Sequence, residues 1–175
     1  MFFQAKPSDP PDRTLLDAYA NGDGGFTDCY GVEIDGAVPL ADYVTAFYTT
    51  PLFKLERWLL RVAAGFRATD RDAERMADGR QDHYSAWQVE GRTSDELLMC
   101  PAGGATRSWF MVVPLGRPDD GARTRLFFGS AIVPRTHGAK RSGVMTAAYR
   151  LLLVFHDLYS RALLSAARRR FLRAA

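Results

Sequence analysis

Apolar and polar positions change their rhythm three times along the chain, and each change marks a different kind of element. Asp28–Ile34, DCYGVEI, alternates over a short run and predicts a first strand, weakened by Gly31. Helical spacing follows from Pro39 to Phe66. Tyr43, Phe47 and Tyr48 fall on one stripe, and Pro39 suits a first helical turn. Pro51 lacks an amide hydrogen and clashes with the preceding turn, so it divides the run into two helices. The second helix sends Phe53, Arg57, Leu60 and Arg61 one way, and leaves Leu52, Leu55, Trp58, Leu59 and Val62 for a core. Gly65 is a natural stop. A short helix is expected over Asp70–Met76.

Period-two patterning then takes over. His83–Gly91, Asp95–Cys100, Thr106–Pro114 and Arg123–Pro134 predict four strands joined by short turns, most of them containing glycine, which is the pattern of an antiparallel meander. The last two are apolar on both faces. One face is expected to meet a helix and the other a second part of a curved sheet. Beyond Pro134 no proline interrupts the chain. Ser142 is a candidate cap, and Val144–Phe171 predicts one amphipathic helix of about 42 Å. Residues 1–27, with three prolines before Thr14, are expected as a flexible leader. A single domain covers 28–171, and 172–175 form a tail.

The 175 residues suffice for one core, with 47% hydrophobic and 25% charged residues, an ordinary globular composition. Net charge is +3. Residues 150–175 carry six arginines against Asp157, a net +5, so the rest of the chain carries −2. A basic end on a slightly acidic body disfavours nucleic acid as a partner. Arg168, Arg169 and Arg170, beside Phe171 and Leu172, read as a solvated helix end or as a contact for an anionic membrane surface. Cys29 and Cys100 are too few for a disulfide framework, and cytoplasmic thiols are expected. The first residues lack the apolar core of a signal peptide, and no run of about 18 apolar residues occurs.

The segments SAWQVEGRTSDELLMC, TRSWFMVVP, LFFGSAIVP and YRLLLVFHDLYSRALLSAARRR, in this order, resemble the DUF2867 family of the START-like (SRPBCC, or helix-grip) superfamily. That resemblance implies an α+β helix-grip fold, a curved antiparallel β-sheet packed against a long C-terminal α-helix. It further implies an apolar small molecule or lipid bound in the gap between sheet and helix. It transfers no catalytic set.

Candidate site residues follow from the alternation. Trp87, Trp109, Met111 and Phe127 are expected to face inward, with small Gly129 and Ala131 leaving space beside the rings. Ordinary aromatic core packing is the competing reading. Tyr149 and His156 come from the apolar stretch of the long helix. His156 is a candidate ligand contact or base, and equally a boundary histidine bonded to a polar neighbour. Arg107 shares the facing of Trp109 and has Glu90 or a ligand carboxylate as partner, or sits on the rim. Glu96 is a further acid with no fixed geometry. His83, His137 and His156 are too widely spaced for a metal site, and NGDGG lacks the lysine and hydroxyl of a phosphate loop, so neither metal nor cofactor is expected. Two rival classes remain open. One is an interaction module or homodimer burying Leu151, Val154 and Leu158. The other is a cyclase- or hydrolase-like enzyme using His156 with Glu90 or Arg107.

Overall fold

A computed structural model describes residues 4–20, 26–116, 121–133 and 147–174. The elements are β1 (Lys6–Pro7), α1 (Asp17–Ala20), β2 (Phe26–Asp35), α2 (Leu40–Tyr48), α3 (Pro51–Ala64) and α4 (Asp70–Ala77). They continue with β3 (His83–Tyr84), β4 (Trp87–Arg92), β5 (Glu96–Pro101), β6 (Thr106–Leu115), β7 (Arg123–Ile132) and α5 (Ala147–Ala174). The fold is α+β. Seven antiparallel strands form one open sheet in the order β1-β2-β7-β6-β5-β4-β3. The meander β3–β7 is therefore closed on its β7 side by β2, the strand that precedes all three middle helices.

Local chemistry sets the helix limits. Thr50 caps α3 by accepting the Phe53 amide at 3.2 Å, and Pro51 takes the first helical position, where no amide hydrogen is required. Gly65 ends it in the left-handed conformation, φ 75°. Thr69 and Asp72 form a reciprocal capping box at the start of α4. The Ser142 cap expected for the last helix lies outside the described residues.

Alternation sends the residues of each long strand to two covered faces. Tyr30, Val32 and Ile34 of β2, Phe110 and Val112 of β6, and Leu126 and Phe128 of β7 meet α2, α4 and the C-terminal half of α5. Phe47 stacks on Phe128 at 4.8 Å between ring centroids and meets Phe110 edge-on at 4.8 Å. The opposite face carries a second, smaller core of Leu16, Cys29, Leu98, Trp109, Phe127 and Ala131.

That second core corrects two expectations. Its cover is the segment around Leu15, Leu16 and Tyr19, not another part of the sheet. Residues 4–20 of the expected flexible leader are built into the fold: Lys6 and Pro7 pair with Gly31 and Tyr30, and Ala5 and Leu16 are buried. A third correction concerns α3. Only Phe53 is buried along it, while Leu55, Trp58, Leu59 and Val62 are 55%, 56%, 52% and 68% exposed. The helix turns its more apolar stripe away from the core.

Candidate functional site

The sequence candidates separate across the sheet. Trp87 lies on the helix-covered face, near Phe53 and Tyr48 at ring distances of 5.4 and 6.4 Å. Trp109, Met111 and Phe127 lie on the other face and do not line any space between sheet and α5. The room expected over Gly129 is filled. A β-carbon there would stand 2.9 Å from the Trp109 ring, 2.9 Å from the Asp28 carbonyl and 3.0 Å from Leu16. Ala131 is fully buried in the same cluster. Tyr149 belongs to α5, but its side chain, like those of Leu151 and Val154, lies outside the described residues.

Arg107 does meet Glu90, at 2.7 Å, on the outer face. It also donates to the Tyr19 hydroxyl at 3.1 Å and holds the Gly104 and Thr106 carbonyls at 2.9 Å each. Burial pushes the Glu90 carboxyl up, and Tyr19 and Arg107 together pull it below its ordinary value. Every Arg107 donor named here is spent on the protein itself, and the cluster ties α1 to the sheet. Glu96 plays a parallel part. It is buried, and its Oε2 accepts both the Trp109 indole N–H and the Leu15 amide at 2.7 Å. The two acids weighed for chemistry thus fasten the N-terminal segment.

Of the arginines at the C-terminal end, Arg168 donates to the Glu33 carbonyl at 2.9 Å and to Gln4, and Arg170 donates to Thr49. Arg169 is exposed. Arg168 and Arg170 thus donate to uncharged partners within the chain, and Arg170, like Arg169, is exposed.

The open volume lies elsewhere. A groove of about 810 Å³ runs between α3, α5 and the neighbouring ends of β2 and β7. Leu52, Leu55 and Leu59 form one wall, Leu158 and Ala162 another, and Phe26 and Ile132 close the strand side. Besides Thr106, two hydrogen-bonded polar groups border it. At the first, the His156 Nε2 lies 2.6 Å from the Ser130 hydroxyl and 3.2 Å from Asp28 Oδ2. Asp28 Oδ1 accepts the Ser130 amide at 3.0 Å and also the Ser130 hydroxyl. At the second, the Tyr159 hydroxyl donates to Glu56 Oε2. Burial raises the Glu56 carboxyl above its ordinary range, an effect the Tyr159 bond partly offsets.

Serine, histidine and aspartate in contact invite comparison with a nucleophilic triad, but the wiring differs. In a triad the carboxylate holds one ring nitrogen while the other receives the serine proton. Here hydroxyl and carboxylate share Nε2, and the serine proton points to Asp28. The arrangement pins α5 to β2 and β7, and it presents a polar rim to an apolar groove. Of the groove residues, the pattern singled out His156 and placed Leu52, Leu55 and Leu59 in a core. Asp28, Ser130 and Glu56 carry no signal in the pattern, and Tyr159 shows only the helical spacing of the last helix, because their roles depend on contacts between elements 26 to 103 residues apart.

Among the described residues no group of His, Cys, Asp and Glu is placed to hold a metal ion, and no helix is long and apolar enough to cross a membrane. The chain matches no protein-family model and no curated protein.

Proposed function

We propose that the chain has the helix-grip arrangement and binds an apolar small molecule, with the α3–α5 groove as its site. The observation that carries this reading is the groove itself. Its volume of about 810 Å³ falls within the range of small-molecule sites, roughly 300–1,000 Å³, and its walls are leucine, alanine, isoleucine and phenylalanine with few polar groups. The strand order supports the fold: β2 beside β7, three helices inserted before a meander, and α5 across the same face as α2. Free Cys29 and Cys100 support a cytoplasmic location.

The ligand lies under α3 in this reading, and Trp109, Met111, Phe127 and Arg107 have no part in holding it. Native mass spectrometry of gently purified protein, against a delipidated control, tests it. An adduct of apolar mass is expected, retained or re-bound on addition of apolar compounds. Ala162→Trp, which fills the groove from its α5 wall, is expected to abolish it. Absence of any retained or added apolar ligand overturns the proposal.

A further inference from the structure

The groove's charge is uneven. Of its lining side chains, only Glu56 is an acid and none is a lysine or arginine. His156 is already held by Ser130 and Asp28. Glu56 has basic neighbours on its own helix, but they are turned elsewhere. Lys54 pairs with Asp70 at 2.5 Å, and Arg57 pairs with Asp70 at 2.9 Å and donates to Tyr84 at 3.0 Å. Among the described residues no cation faces the Glu56 carboxylate, and the one donor it receives is the neutral Tyr159 hydroxyl. A partly buried carboxylate in an apolar wall is costly unless a proton or a cation accompanies it.

We infer that the ligand of this groove is an apolar molecule ending in a protonated amine, which Glu56 holds by a charge-assisted hydrogen bond while the hydrocarbon body lies against Leu55, Leu59 and Leu158. The inference rests on the groove being a binding site, as proposed above. An ammonium supplies a positive charge to Glu56 and donors beyond the one the Tyr159 hydroxyl gives it. A fatty acid brings a second carboxylate to the same wall and is repelled. A fatty alcohol satisfies the hydrogen bond without the charge. The selection order is therefore amine, then alcohol, then acid.

Displacement of the neutral fluorophore N-phenyl-1-naphthylamine by dodecylamine, dodecanol and dodecanoate, each below its micellar concentration at pH 7, tests this. Dodecylamine is expected to displace the probe at a concentration roughly tenfold below that of dodecanol, the step of one charge-assisted over one neutral hydrogen bond, with dodecanoate weakest. Glu56→Gln, checked for native circular dichroism, is expected to bring amine and alcohol within about twofold, and Glu56→Asp to keep part of the preference. Equal displacement by all three, or an amine preference that survives Glu56→Gln, overturns the inference and leaves the groove intact as an apolar site. Failure of the probe and of all three compounds to bind overturns both.

Discussion

Single residues in this chain act mostly by satisfying a neighbour, and Glu96 is the clearest case. Its one oxygen Oε2 receives two donors, the Trp109 indole and the Leu15 amide, in a place closed to water. Removing the carboxylate leaves both donors without an acceptor, each at a cost of about 1–3 kcal/mol. Glu96→Ala is therefore expected to lose about 2–6 kcal/mol of stability in urea denaturation, whereas Glu96→Gln keeps a carbonyl oxygen there and loses less than half as much. Equal losses for the two variants would show that packing, not hydrogen bonding, is at stake. Alternation in the sequence puts Trp109 and Met111 on one face, as the structure does. It had no means of telling which face of the sheet the helices would take. Bulk alone does not put Trp109 on either side; the residues that fix its side are Gly129, which admits the ring, and Glu96, which binds its nitrogen.

Whole elements were easier to locate than to orient. Pro51, Gly65 and the helical spacing mark α3 to within a residue or two. Two apolar sectors compete on that helix, one centred on Phe53 and Leu60 and one on Leu55, Trp58, Leu59 and Val62. The larger sector looked like the core face. The smaller one faces the core through Phe53, which reaches Tyr48, Tyr84 and Phe47 at ring distances of 4.7, 6.1 and 6.4 Å. Periodicity shows that a stripe exists, and only the neighbouring elements decide what it meets. A direct consequence is an inverted mutational profile along α3. Val62→Gln and Trp58→Gln are expected to change stability by no more than about 0.5 kcal/mol, as exposed positions do. Phe53→Ala is expected to cost about 3–5 kcal/mol through the lost ring and the cavity it leaves. Thermal or urea denaturation of the three variants decides it: a large loss at Val62 would mean that α3 is packed with its other sector inward.

At the scale of the molecule the N-terminal segment is a second lid on the sheet. Its strand β1 extends the sheet at β2, the Ala5 and Gln4 amides donate to Ser165 of α5 at 3.2 Å, and Leu15, Leu16 and Tyr19 close the outer face. Sequence patterning held half of this result. Strands apolar on both faces demanded two covers, and the three prolines announced an extended chain. Leu15, Leu16 and Tyr19 lie on too short a segment for its pattern to show that it covers the sheet. Cys29 reports on this lid. It is buried in the outer core, and burial together with Asp28 and Asp9 pushes its thiol up to about 12. Since the thiolate is the reactive form, Cys29 in the intact chain stays protonated through neutral pH and is shielded as well. Cys100 is partly exposed. Ellman's reagent at pH 8 is therefore expected to titrate one thiol rapidly and the second only as slowly as the fold opens. Leu16→Asp places a charge over Trp109 and Cys29 and loosens the lid without touching α2, α4 or α5. It is expected to make the second thiol reactive at denaturant concentrations that leave far-ultraviolet circular dichroism unchanged. If both thiols of Leu16→Asp stay as they were, or if reactivity appears only with global unfolding, the segment is not a separable lid but part of one cooperative core.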